Sequence, residues 1–240
     1  MEPFADALVS SVVRPGDWVL DVACGTGVAT RAAAIAAGRS GSVMGSDINA
    51  GMLAVAGEVT DRDLIASWDI ASALDLPYED DSFDSVICQQ GLQFFPDPVA
   101  GLLEMARVTK RDGRVAVTVW SELDRSPYFG ALEEMFDRCC GPDRHVDQFA
   151  FEEGAVTGWF AGAGLTSAQI EEVRVEVSLP PVTEYVPSHM KALPWAGDFL
   201  ALDEDKQREA IAHVDSRLSD FRIDSGICVP FGSWLATTTV

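Results

Sequence analysis

Nine residues near the start, Val19-Leu20-Asp21-Val22-Ala23-Cys24-Gly25-Thr26-Gly27, could hold a ligand against the main chain. An apolar run that ends in tiny residues reads as a strand entering a tight turn, and the Ala-rich stretch behind it as a helix. Small residues let a ligand approach the backbone, Gly accepts dihedrals that other residues resist, and a helix N-terminus presents unpaired N–H groups. Such a turn is generic to nucleotide sites. Here the spacing Gly25-x-Gly27-x-x-Thr30 lacks the third Gly of the dinucleotide fingerprint, which packs helix on strand beside a pyrophosphate. Asp21, on the strand before the turn, would be unwelcome beside a pyrophosphate. It suits a cationic ammonium or sulfonium, directly or through water.

Two further acids sit at comparable places. Asp47 ends the second strand (M-G-S-D-I-N), where a carboxylate can grip both hydroxyls of a ribose. Asp69-Ile70 follows the third strand, where a carboxylate and a backbone N–H can read the amino and ring-nitrogen edge of adenine. Each acid also has a plainer reading: Asp21 as a structural or capping acid, Asp47 as the N-cap of a helix beginning near Ala50, Asp69 as a turn cap. Taken together they end three successive strands, on the edge where parallel sheets bind ligands. One ligand with ammonium, ribose and adenine, and no phosphate, satisfies all three. S-adenosylmethionine has that composition.

The elements that must position these residues are legible from periodicity. Strands are expected over 17–22, 42–46, 64–68, 83–88 and 114–120, and helices over 26–37, 50–57 and 98–109. Lys110-Arg111-Asp112-Gly113 reads as a turn. This alternation predicts an α/β fold with a parallel sheet and helices on both faces. Beyond Trp120 the pattern loosens. Helices are expected over 128–139 and 152–163, a strand over 166–179, and an amphipathic helix over 203–219 with Ile211, Val214 and Leu218 on one face. A last strand is expected over 226–234. The Pro- and aromatic-containing stretch at about 180–200 reads as a lid-like insertion in a single domain spanning 1–240. No repeat, low-complexity run or linker interrupts it.

The sequence resembles the class I S-adenosylmethionine-dependent methyltransferases, in particular the small-molecule group related to ubiquinone/menaquinone biosynthesis enzymes. The matching stretches are V-L-D-V-A-C-G-T-G (19–27), G-S-D-I-N-A-G-M-L (45–53), Asp69-Ile70 with L-P-Y-E-D-D-S-F-D-S-V-I-C-Q-Q-G-L-Q-F-F-P-D (76–97), and L-L-E-M-A-R-V-T-K-R-D-G (102–113). The resemblance implies a Rossmann-like seven-stranded sheet of order 3-2-1-4-5-7-6 with strand 7 antiparallel. By it, Ala23, Gly25 and Gly27 line the methionine end of S-adenosyl-L-methionine, Asp47 holds the ribose, and Ile48 and Met52 border the adenine. Asp69 and Ile70 hold the adenine edge, and the Gln89 backbone meets the amino acid moiety. The expected reaction is in-line methyl transfer to a small-molecule acceptor, leaving S-adenosyl-L-homocysteine. Relatives carry a few tens of residues before the point matching Phe4. The expectation is therefore a cofactor pocket that is open, or closed by the lid or by a partner subunit in a homodimer.

Composition narrows the partners. Lys and Arg total 17 against 38 Asp and Glu, a formal net charge of -21 over 240 residues. Such a surface repels phosphate backbones and anionic membranes, so neither nucleic acid nor membrane is expected. The five cysteines have no zinc spacing, and no His/Asp/Glu cluster suggests a metal. No signal peptide is visible, and a reduced, cytoplasmic chain is the simple reading. Of His145, His189 and His213, His189 in V-P-S-H-M-K is the candidate general base, because a histidine titrates near operating pH. Gln93, Phe94, Trp120, Trp195 and Phe199 could wall an apolar acceptor site. No Asn/Asp-Pro-Pro-aromatic motif follows the fourth strand, where Cys88-Gln89-Gln90-Gly91 stands, and Ser121 and Ser126 lack a nucleophile elbow. A nicotinamide-dependent oxidoreductase would share the turn and Asp47 but not the missing Gly or Asp21. A non-catalytic S-adenosylmethionine-binding partner subunit and a cyclase on the same fold stay open, as do the acceptor and the atom methylated.

Overall fold

Alternation along the first strand explains the architecture. In β1 (Trp18–Val22), Leu20 and Val22 are buried on one side and Val19 on the other. A strand apolar on both faces must be covered on both. The computed structural model describes residues 1–141, 149–190 and 196–240. It groups them into two units, the first from 1–120, 151–173 and 233–240, the second from 121–150 and 174–232.

The first unit carries the sheet. β1 pairs in parallel with β2 (Ser42–Asp47) and β4 (Phe83–Gln89), β2 with β3 (Ala66–Ile70), and β4 with β5 (Thr109–Trp120). After β6 (Gln169–Leu179) and the two-residue β7 (Arg222–Ile223), β8 (Gly226–Thr239) runs antiparallel to β5. The order is β3-β2-β1-β4-β5-β8-β6, with β7 paired to β8 off the path. Counting the main strands alone, this is the expected 3-2-1-4-5-7-6. The register of β8 against β5 runs through Ser233–Thr239, mostly beyond the expected end of that strand at 234.

One face buries Leu102, Met105 and Val108 of α4 (Pro98–Val108) with Val156 and Phe160 of α6 (Glu153–Gly162). The other buries Ala29, Ala33 and Ala37 of α2 (Val28–Ala37) and Ala5, Leu8, Val9 and Val12 of α1 (Glu2–Val12). α1 is absent from the sequence reading, although Pro3 in its first turn and that buried periodicity mark it. α3 (Ala50–Val59) completes the crossover from β2 to β3.

The expected Lys110–Gly113 turn is a bulge inside β5. Phe83 pairs with Thr109 but Ser85 with Arg114, so five residues of advance on β5 match two on β4. Asp112 takes a left-handed φ of 61° there. Charge anchors the strand starts nearby. The Asp17 carboxylate accepts from Arg114 Nη2 at 2.9 Å, Ser85 Oγ at 2.9 Å and the Arg14 N–H at 2.8 Å.

The second unit contains α5 (Pro127–Cys140), α7 (Val182–Met190), α8 (Ala196–Leu200) and α9 (Glu204–Arg217). The stretch expected as a lid thus holds α7 and α8, with 191–195, including Trp195, outside the described residues, as is His145. Among the described residues no helix is long and apolar enough to cross a membrane. An aromatic cluster fills this unit: Tyr128, Phe129, Phe149, Tyr185 and Phe231 pack at ring separations of 4.8 to 6.0 Å. His189 lies within it. Its ring stacks on Tyr185, and its Nδ1 hydrogen-bonds the Tyr128 hydroxyl at 2.8 Å.

Burial lowers the His189 pKa from 6.5 to about 4, because a cation there loses its hydration. The premise that made it a base, titration near neutral pH, does not hold. Between about 4 and 6.5 the unfolded chain binds this proton and the folded one does not, so stability from this group is present above 6.5 and lost as pH falls toward 4. An NMR titration of the His189 ring should give a midpoint near 4, and wild type should lose more stability than His189→Gln over that interval. A midpoint near 6.5 would mean the ring is solvated. Separately, Arg114→Met should cost about 3 kcal/mol in urea unfolding, the scale for stranding one partner of a buried ion pair. A loss below about 1 kcal/mol would place that pair with ordinary surface bridges.

Candidate active site

The sheet order reverses between β1 and β4, and the chain leaves both strands at the same edge. There a cavity of about 520 Å³ lies wholly within the first unit. Its walls are four turns: Ala23–Gly25 after β1, Asp47–Asn49 after β2, Ala71–Leu74 after β3 and Gln89–Gly91 after β4. Val28 and Met52 add the first residues of two helices, and Phe94, Phe95 and Pro96 an apolar side.

Backbone conformation shapes the first turn. Ala23, Gly25 and Gly27 have φ of 55°, 55° and 78°. Gly27 caps α2 in the left-handed region, and a Cβ on it would lie 2.5 Å from the Trp68 ring. Gly27 itself does not line the cavity, and it serves by turning the chain so that the α2 N-terminus starts at the wall. Gly91 has a comparable reason: a Cβ there would meet Ala23 Cβ at 2.7 Å.

Asp47 joins two of these turns. One carboxylate oxygen accepts the Gly25 N–H and the other the Asn49 N–H, each at 2.8 Å. A carboxylate offers about four lone-pair directions, so two remain for a ligand. The N-cap of α3 is Asn49, whose side chain accepts from the Gly51 and Met52 N–H groups. Ile48 and Met52 line the cavity, with Ile48 projecting three-quarters into solvent.

Asp21 is fully buried behind the turn and is not among the cavity-lining residues. It accepts from Thr30 Oγ1 at 2.6 Å, while its other oxygen has no hydrogen-bond partner. Burial raises its pKa to about 7, opposed by the Thr30 hydrogen bond and reinforced by the charge of Asp47. Cys24, on the wall, is likewise pushed up, first by burial and then by Asp21 and Asp47.

Asp69 and Ile70 are not brought to the cavity. β3 runs on to Ile70, so both lie inside the strand and the turn starts at Ala71. The Asp69 carboxylate accepts the Tyr78 hydroxyl at 3.3 Å, and Ile70 is exposed. The wall at this strand end is Ala71–Leu74, which the sequence reading missed because it ended the strand at 68. Gln89 does line the cavity, and its side-chain amide donates to the Met1 carbonyl at 2.9 Å. Gln90, at φ 52°, is locked by its backbone N–H on the Thr118 carbonyl and its Nε2 on Ser233 Oγ, both at 2.9 Å.

Among the described residues expected to wall an acceptor, Gln93, Phe94, Trp120 and Phe199, only Phe94 lines the cavity. Gln93 is buried and accepts the Trp120 N–H at 3.0 Å, and Trp120 packs edge-on against Phe4. Phe199 is buried in the second unit, where His189 also lies. The L-P-Y-E-D-D stretch and α4 match for a structural reason. Arg107 donates to the Leu76 and Tyr78 carbonyls and to Glu104, and Glu104 accepts the Leu76 N–H. Among the described residues no group of three or more His, Cys, Asp or Glu could hold a metal.

Comparison with known proteins bears on the family and the fold. Residues 20–117 match the family model described as a methyltransferase domain. The chain is 39% identical over 120 residues to the ubiquinone/menaquinone biosynthesis C-methyltransferase of Burkholderia cenocepacia, covering 50% of this chain and 49% of that protein. It is 42% identical over 119 residues to the corresponding enzyme of Stenotrophomonas maltophilia, covering 48% and 47%. The chain therefore spans about half the length of the curated relatives it matches. Among solved structures, the YcgJ protein of Bacillus subtilis superposes with a TM-score of 0.65 at 19% identity, covering 100% of this chain and 98% of that one. Haemonchus contortus phosphoethanolamine N-methyltransferase 2, solved in complex with S-adenosyl-L-methionine, gives 0.59 at 16% identity, covering 98% and 51%. These last two establish likeness of fold. Residues 20–117 of this chain match a methyltransferase domain, and over that part the chain is similar to the C-methyltransferases of ubiquinone and menaquinone biosynthesis.

Proposed function

We propose that the chain binds S-adenosylmethionine in the cavity at the β1–β4 edge and transfers its methyl group to a small-molecule acceptor. The observation that carries this reading is Asp47, a cavity carboxylate with two free lone-pair directions beside the α2 N-terminus, in a wall that among the described residues holds no Lys, Arg or His. A pyrophosphate would find the Asp47 carboxylate there and, among the described residues, no Lys, Arg or His side chain to offset it. A ligand with a sulfonium, a ribose diol and a lone carboxylate finds a diol acceptor at Asp47 and N–H donors at the helix end.

In this reading Asp47 takes the ribose hydroxyls. The Ala71–Leu74 turn, with its backbone and the Ser72 hydroxyl, takes the adenine edge in place of Asp69 and Ile70, and Ile48 and Met52 flank the ring. The Ala23–Gly25 backbone and Gln89 hold the amino acid end. When bound, the cofactor supplies an electrophilic methyl on a good leaving group. The chain's task is then alignment: Phe94, Phe95 and Pro96 confine the acceptor on the apolar side, and positioning of this kind can supply on the order of 7–11 kcal/mol. Among the described residues the wall carries no His or Lys, and an acceptor nucleophile that is already unprotonated fits it better than one needing a base from the cavity.

Calorimetric titration tests the reading. S-adenosylmethionine and S-adenosylhomocysteine should bind in the micromolar range and NADH should not. Asp47→Ala should weaken both by about 100-fold, the scale of two lost charge-assisted hydrogen bonds. NADH binding, or sulfur ligands indifferent to Asp47, would overturn it. The buried Asp21 adds a pH dependence. Its carboxyl holds a proton below about 7 in the free protein, and a nearby bound cation favours the ionised form. S-adenosylmethionine affinity should therefore rise from pH 6 to 7.5 with proton release, and flatten in Asp21→Asn. A flat wild-type profile would show that Asp21 does not sense the ligand.

A further inference from the structure

The second unit holds a pair of thiols that methyl transfer does not use. Cys139 and Cys140 end α5, and their sulfurs lie 3.5 Å apart. Both are half-buried and free. Cys139 opens on a cavity of about 350 Å³ floored by Met135 and Ala210 and edged by Arg138, Lys206 and His213. We propose that Cys139 and Cys140 form a chelating site for a trivalent organoarsenical or a metalloid of the same chemistry, its organic substituent lying in that cavity.

Three alternatives fit less well. A disulfide needs Cα atoms about 4.4–6.8 Å apart, whereas neighbours in sequence are fixed at about 3.8 Å, so oxidation would unwind the helix end. A zinc ion needs about four ligands, and among the described residues no third His, Cys, Asp or Glu converges here. Attack by a lone thiolate is disfavoured, because burial and the neighbouring Cys140 push the Cys139 thiol up to about 12. A trivalent arsenical avoids all three obstacles. It forms two bonds to sulfur, brings its own third substituent and yields a neutral product. With R–As=O the oxygen leaves as water carrying both thiol protons while two As–S bonds form. Arsenic stays trivalent and nothing is oxidised.

The probe is phenylarsine oxide added to the full chain, with intact-mass readout and no cofactor present, so the result is independent of the methyltransferase reading. Wild type should take up one phenylarsenic per chain that survives excess 2-mercaptoethanol and is removed by 1,2-ethanedithiol. Cys139→Ser and Cys140→Ser should each lose at least about 100-fold of that resistance, the scale of a lost chelate effect. Cys228→Ser should behave as wild type. Should the serine variants fail to fold, alkylation footprinting of wild type decides: the probe should protect the tryptic peptide of residues 139–144, which contains only these two cysteines. Uptake that persists in both single variants, that is lost in Cys228→Ser, or that leaves the 139–144 peptide unprotected would overturn the proposal.

Discussion

The hydrogen bond from the Gly25 N–H to Asp47 ties together the two turns that matter most in the first unit. A turn of Ala, Cys and Gly has almost no side-chain packing of its own, and three of its residues sit at positive φ. Left alone it would sample many conformations. The same carboxylate takes the Asn49 N–H, and Asn49 in turn caps α3. One acid therefore fixes the turn after β1, the turn after β2 and the start of a helix. It is also the acid with lone pairs left over for a ligand, so holding the walls and reading the diol fall to one group. The remainder of the fold, a parallel sheet buried on both faces, serves to bring these turns to one edge.

Asp21 shows a different economy. A carboxyl at zero exposure with one oxygen unpartnered is costly, and protonation is the ordinary relief. Thr30 on α2 holds the other oxygen. The sequence argument that this acid favours a cation keeps its electrostatic content but loses direct contact, because the side chain points into the α2 face and not into the cavity. Composition alone cannot distinguish these: strand alternation puts Asp21 on the same side as Val19, and only packing of α2 closes that side.

Much of the first unit was legible because its signals are local. The apolar runs, the Gly turn and the caps are each set within ten residues, and strand order followed from the family resemblance. What was missed depended on long-range facts. The end of β3 at Ile70 is set by pairing with β2, so Asp69 and Ile70 were placed one step too early on the edge and Ala71–Leu74 overlooked. The Lys110–Gly113 stretch has turn composition and is a turn in shape, but pairing on both sides makes it a bulge within β5. His189 reads as a base from sequence because an unburied histidine titrates near operating pH. Its bond to Tyr128, 61 positions away, is invisible to periodicity, whereas Tyr185 stands one turn before it on α7.

Trp68 stands directly behind the Gly turn, and a Cβ at Gly27 or at Gly45 would lie 2.5 or 2.7 Å from its ring. The indole occupies the room that two absent side chains would need. These three positions are therefore packed as one unit. Trading Trp68 for a small residue would relieve the closest contacts of a Cβ at Gly45 and leave Cys24 Sγ at 3.0 Å, whereas Gly27 stays fixed by its left-handed turn. Gly27 is thus held twice, by the ring and by its own backbone, and Gly45 only by the side chains around it.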